Sequence, residues 1–179
     1  MFLSLIIIIL FLYFLFIINV LIMAGRDLPT SRKAKKNILG IIVNNLGSKK
    51  DFNFCDLGCG RGDVLFAVRK TFPRAFVFGI EKSFFQLFFA KLQTFFLRQK
   101  IFFQKGDFFE KNLEKANIIY CYLPKALLTR LEEKLKNELK KGTLIITNTT
   151  HFLNWKPNEV FIVHKDKPDF EKLFVYIKD

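Results

Sequence analysis

The chain has 179 residues, room for one folded core and a short appendage. Its formal net charge is +13, a balance that can mean nucleic acid, anionic lipid or, for scattered lysines of this kind, nothing specific. Cys55, Cys59 and Cys121 form no CxxC pair and lie far in sequence from His151 and His164, so buried reduced thiols are expected rather than a metal site or disulfide framework.

From Phe2 to Ala24 no residue is charged, and only Ser4 and Asn19 are clearly polar. As a helix this run would rise about 35 Å, so residues 2–24 are expected to form a transmembrane helix. A cleaved signal peptide competes poorly, because no Lys or Arg precedes the run and it is long for a signal core. Arg26, Arg32, Lys33, Lys35 and Lys36 crowd its C-terminal flank, which predicts a single-pass cell-membrane protein with its domain in the cytoplasm. Beside such an anchor, attraction to anionic headgroups is the simplest role for the basic charge, ahead of nucleic acid. Residues 25–50 read as a basic linker and pre-domain helix, with Ile38, Leu39, Ile42, Val43 and Leu46 at helical spacing and Gly47 as the stop.

Residues 51–179 then alternate short apolar runs with amphipathic stretches. Strands are expected at Phe52–Leu57, Ala75–Glu81, Ile101–Lys105, Asn117–Leu123 and Thr143–Thr147. Helices fill the gaps, among them Phe84–Arg98 and Lys125–Lys140. This alternation predicts an α/β domain with a parallel sheet covered on both faces. Glu159–His164 and Leu173–Lys178 look like two further strands pairing as a terminal hairpin. On a helical wheel Phe84, Phe85, Phe88, Phe89, Leu92, Phe95 and Phe96 share one arc, which is expected to pack on the sheet. The alternative is that this arc leans on lipid or a membrane partner.

The chemistry concentrates at strand ends. Asp56-Leu57-Gly58-Cys59-Gly60-Arg61-Gly62 follows the first strand and opens a helix, the context a nucleotide-binding loop requires. Asp63 stands where a dinucleotide fingerprint has its third glycine, and two carboxylates beside a pyrophosphate would be repulsive. S-adenosylmethionine has no phosphate and carries an ammonium that acidic residues can help to hold. Glu81, at the end of the second strand, is placed to accept both ribose hydroxyls. Asp107 could accept from the adenine amino group, and Phe108 could pack on the ring. The expected cofactor-binding set is Asp56, Gly58, Gly60, Gly62, Glu81, Asp107 and Phe108, with no metal.

This series resembles the class I S-adenosylmethionine-dependent methyltransferases. The resemblance implies a Rossmann-like seven-stranded sheet with an antiparallel last strand, trimmed here because Thr150–Asn158 is too short for the usual helix. Two further stretches, Asp27-Leu28-Pro29-Thr30-Ser31 and Tyr120-Cys121-Tyr122-Leu123-Pro124 with the later Trp155-Lys156-Pro157, are similar to the small membrane-anchored protein-lysine methyltransferases of the ATP synthase c subunit and the adenine nucleotide translocator. That likeness implies a lysine acceptor in a membrane protein. The glycine loop departs from that family in reading Gly60-Arg61-Gly62-Asp63, with the two charges exchanged.

Methyl transfer from a sulfonium is an in-line displacement, so the protein must mainly align the nucleophile and exclude water. Tyr122, Leu123 and Pro124, after the fourth strand, are the expected acceptor-positioning loop. Tyr122 either orients the amine or is a plain strand aromatic. Rival acceptors are a membrane quinone or lipid and a nucleic acid; a non-catalytic scaffold would leave the cofactor loop unexplained.

Overall fold

The computed structural model describes residues 2–24, 29–46 and 51–179, with side chains in the first stretch described for residues 4–17. Gly25, Arg26, Asp27, Leu28 and Gly47, which carried parts of the linker, topology and capping expectations, lie outside the described residues.

Helix α1 spans Phe2–Ala24, and its described side chains from Leu5 to Phe16 are exposed on every side. The membrane reading is corrected. Among the described residues no helix is long and apolar enough to cross a membrane. The expected single-pass cell-membrane placement with a cytoplasmic domain is therefore overturned.

Helix α2 (Arg32–Leu46) follows, then β1 (Asn53–Leu57), α3 (Asp63–Thr71), β2 (Phe76–Glu81), α4 (Phe84–Phe96), β3 (Phe102–Lys105), β4 (Ile118–Cys121), α5 (Lys125–Glu138), β5 (Leu144–Asn148), β6 (Glu159–Ile162) and β7 (Lys172–Ile177). They build a seven-stranded sheet of order β3-β2-β1-β4-β5-β7-β6. The first five strands run parallel, and β7 is antiparallel to both β5 and β6. The expected terminal hairpin is present. Because successive strand residues point to opposite faces, Phe54 joins a core with α2, α3 and α4 (Ile38, Leu65, Leu87), while Cys55 and Leu57 join a second core under α5 (Leu128, Leu131, Leu135). The sheet is covered on both sides.

The segment after β5 carries no helix, and the protein closes that gap with side chains. Glu132 of α5 is buried, and one carboxylate oxygen accepts from the backbone N–H groups of Leu153 and Asn154, both at 3.0 Å. Phe152 stacks on Trp155 at 5.6 Å and meets the Tyr176 ring at 4.8 Å, while the Tyr176 hydroxyl accepts from Phe152 N. Burial alone would raise the Glu132 pKa, but bonds from Lys136, Asn154 and Leu153 outweigh it and hold the carboxyl below its ordinary value. Glu132→Ala leaves those donors unpaired and is expected to cost about 2–3 kcal/mol in urea unfolding, with little change in cofactor affinity.

Helix α4 departs from expectation. Its buried residues are Gln86, Leu87 and Ala90, nearly opposite the predicted arc on the wheel, and Phe84, Phe85, Phe88, Leu92, Phe95 and Phe96 are exposed. The first turn sets this rotation. Ser83 accepts from Gln86 N as the N-cap, and the Gln86 side-chain oxygen accepts from Arg61 Nε at 3.2 Å. Arg61 also lies over the Phe89 ring at 5.5 Å.

Candidate active site

The parallel strands β1 to β5 all end on the same edge, where ligands of open α/β sheets bind. The loop after β1 turns through Gly58, Gly60 and Gly62 at φ of 72°, 53° and 85°, a left-handed conformation that side-chain-bearing residues rarely adopt. It is pinned to the end of β2. Gly58 N and Cys59 N both donate to Ile80 O, at 2.9 and 3.2 Å, and Gly60 N donates to the Glu81 carboxylate at 3.0 Å. Gly79 in β2 allows that approach: a Cβ there would sit 2.5 Å from Cys59 Sγ and 2.6 Å from Leu65 Cδ1. Sequence reasoning missed this residue, although a glycine inside a strand signals close backbone approach.

Glu81 has two roles in this geometry. One oxygen takes Gly60 N and the other takes Ser83 N at 2.8 Å. Each carboxylate oxygen has a second lone pair, so both can still accept from a ribose diol. Asp56 is buried at the end of β1, between Gly79 and Tyr120 in the sheet register. Its pKa is raised well above the ordinary carboxyl value, first by burial and then by the charges of Glu81 and Asp63. A cationic ligand would relieve that crowding, and a phosphate would worsen it. In front of the loop, a Cβ on Gly60 would meet nothing within 4 Å. Crowded carboxylates, an open glycine turn and a diol acceptor fit S-adenosylmethionine.

Asp107 follows β3. One oxygen accepts from Phe109 N at 2.9 Å, capping a single 3-10 turn over Phe108–Glu110, and the other lies 3.9 Å from Lys82 Nζ. Phe108 is buried in the core under α5, against Phe109 at 4.6 Å. Its ring belongs to the core behind the strand end.

The loop after β4 reaches the glycine turn directly: a Cβ on Gly58 would lie 3.0 Å from Leu123 Cδ2. Thr150 Oγ1 donates to Leu123 O at 2.7 Å, and Pro124 is the N-cap of α5. Tyr122 is half-buried against the core shared with α2 and α3. Thus Gly58 and Leu123, one from each expected loop, are in contact, while Glu81 and Asp56 stand behind the glycines. The thiols do not join this chemistry. Cys55, Cys59 and Cys121 are free and buried, and burial first, then the Asp56 charge, pushes all three thiol pKa values up. Among the described residues no group of His, Cys, Asp or Glu could hold a metal ion.

A polar network fastens the pre-domain segment over this edge, and no local sequence signal gives it. Thr30 Oγ1 bonds Tyr120 Oη at 2.7 Å, Asn148 Nδ2 donates to Tyr120 Oη at 3.2 Å and to Glu171 Oε1 at 2.9 Å. Ser31 N donates to the same Glu171 oxygen at 3.4 Å, and His164 Nε2 bonds the other at 3.1 Å. At the opposite side of α2, Lys35 pairs with Asp63 at 3.5 Å. The Pro29-Thr30-Ser31 motif therefore serves as a clasp, and Asp63, whose position exchanged charges with Arg61, links the start of α3 to α2.

Comparison with known proteins gives the family and the fold. A family model described as the ANTKMT methyltransferase domain matches residues 56–159. A protein-lysine N-methyltransferase of Saccharolobus islandicus (strain REY15A) is 28% identical over 137 residues, covering 75% of this chain and 83% of that protein. Among solved structures, an RNA methyltransferase from Salinibacter ruber in complex with S-adenosyl-L-homocysteine superposes with a TM-score of 0.71 at 20% identity, covering 84% of this chain and 93% of the other. A precorrin-6y C5,15-methyltransferase from Geobacter metallireducens gives 0.55 at 18% identity, covering 69% of this chain and 65% of the other. At such identities these two share the fold alone.

Proposed function

The chain belongs to the ANTKMT methyltransferase family and is an S-adenosylmethionine-dependent methyltransferase, and we propose that it methylates a lysine side chain of another protein. The observation that carries this reading is the seat of Leu123 on Gly58, which brings the turn after β4 onto the cofactor loop. The Saccharolobus relative, named for protein-lysine methylation, supports it.

In this reading Asp56 and Glu81 hold the cofactor's ammonium and ribose ends, with Asp107 and Phe108 at the adenine end. When bound, S-adenosylmethionine supplies a methyl on a sulfonium whose departure leaves a neutral thioether. Leu123, Pro124 and the Tyr122 ring form the acceptor side. Their apolar character disfavours the ammonium form of an incoming lysine and so favours the free amine that attacks. Thr150 fixes the turn by holding Leu123 O, and the clasp at Thr30, Tyr120 and Glu171 keeps water out from the other side.

The test is a partition of label. Protein of full length, given methyl-labelled S-adenosylmethionine with separated protein, lipid and nucleic-acid fractions, should label protein. Label entering only lipid or only nucleic acid would overturn the lysine assignment while leaving the methyltransferase in place.

A further inference from the structure

The outward arc of α4 calls for a partner. Phe84, Phe85, Phe88, Leu92, Phe95 and Phe96 are all 40–76% exposed. At 150–250 Å² for each fully exposed aromatic ring, they present roughly 600–700 Å² on one face. That is at or above the largest apolar patch of an ordinary monomer, and close to one side of a standard protein–protein interface. Burial of Gln86, Leu87 and Ala90 uses the opposite stripe, so no part of this arc supports the domain's own core.

The helix and the segment that follows it are basic, with Lys82 at the start meeting Asp107. Between residues 82 and 106 the charged residues are Lys82, Lys91, Arg98, Lys100 and Lys105, with no carboxylate among them. Lys91, Arg98 and Lys100 pair with no acidic residue among the described residues. Lys105 lies 5.5 Å over the Phe84 ring at one end. At the other end an open cleft of about 670 Å³ is lined by Lys91, Thr94, Phe95, Phe96, Arg98 and Gln99.

We propose that the α4 arc is a docking surface for a protein partner presenting an amphipathic helix, its apolar stripe bordered by Asp and Glu and carrying one large apolar anchor. Three features select that occupant. A second copy would bring the unpaired Lys91, Arg98 and Lys100 of both copies together, which is repulsive. A flat anionic surface would satisfy the charge but leave the cleft unfilled. A helix with a protruding Phe or Leu fills the cleft beside Phe95 and Phe96 while its carboxylates meet Lys91 and Arg98. The proposal concerns binding at α4 and stands independently of which molecule receives the methyl group.

The probe is a fluorescent amphipathic peptide of about 18 residues, long enough to hold a helix, with Leu and Phe at helical spacing and Glu on the flanks. A matched peptide carries Lys in place of Glu. Fluorescence anisotropy with protein of full length should give micromolar affinity for the acidic peptide and at least about tenfold less for the basic one. Phe95→Ser, at a 76% exposed position, should weaken acidic-peptide binding about tenfold or more. Lys91→Glu with Arg98→Glu should invert the preference. S-adenosylmethionine affinity should stay unchanged in both variants, which shows that they fold. Because α1 is common to every protein used, its apolar surface cannot produce these differences. Equal binding of the two peptides, or undiminished binding in both variants, overturns the proposal. So does Phe95-dependent binding to phosphatidylglycerol vesicles, or Phe95-dependent self-association, without affinity for the acidic peptide.

Discussion

Replacing Glu171 with alanine is expected to destabilise the protein by about 3–5 kcal/mol, as for removing one member of a buried charged network. Glu171 is only 4% exposed, and its oxygens receive Asn148, Ser31 and His164. Alanine leaves those groups buried without their acceptor and frees the hairpin of β6 and β7 from α2. Burial alone would raise the Glu171 pKa, but the hydrogen bonds from Ser31, Asn148 and His164 outweigh it and hold the carboxyl below the ordinary Glu value. A depressed carboxyl stabilises the fold fully above the unfolded value of about 4.3, and that stabilisation is lost as pH falls through the lower folded value. In urea titrations Glu171→Gln should therefore fall furthest below wild type near neutrality. The two should converge as the solution is acidified below about pH 4. A gap that widened on acidification would show that the carboxylate does not carry the network.

Glu81→Ala should give the largest loss of cofactor affinity, on the order of 3 kcal/mol or more than hundredfold, read by calorimetry with S-adenosylhomocysteine. Two losses combine. The ribose acceptor disappears, and Gly60 N and Ser83 N lose the oxygens that hold the glycine turn against β2. Glu81→Gln keeps one oxygen and should fall between alanine and wild type. Global stability should change much less than in Glu171→Ala, because Glu81 is half-buried at a crevice. Equal affinity in wild type and Glu81→Ala would remove Glu81 from the site.

Several parts of this site are legible in the sequence because they are local. The acidic residue before the glycine loop, the glycines and the carboxylate at the end of β2 sit at fixed distances from strand ends, and alternation of apolar runs locates those strands. The clasp is not local. Ser31 and Glu171 are 140 residues apart, so the Pro29-Thr30-Ser31 motif is visible as a pattern while its partners are not. The rotation of α4 fails for a different reason. Phe and Leu occupy most of the helix, so the period identifies a helix and an apolar arc but not which side meets the sheet. The Ser83 cap and the Arg61–Gln86 bond decide that, through a contact 25 residues away in sequence. For the N-terminal run, apolar composition and length predict single-pass placement, and among the described residues no helix is long and apolar enough to uphold it.

Methyl transfer to lysine is read from acid hydrolysis of the labelled protein acceptor. After reaction with methyl-labelled S-adenosylmethionine, amino-acid analysis should recover the label as mono-, di- or trimethyl-lysine. Glu81→Ala under the same conditions should leave the hydrolysate nearly unlabelled. Label recovered wholly on another amino acid, or in a form that does not survive as an amino acid, would exclude lysine as the acceptor.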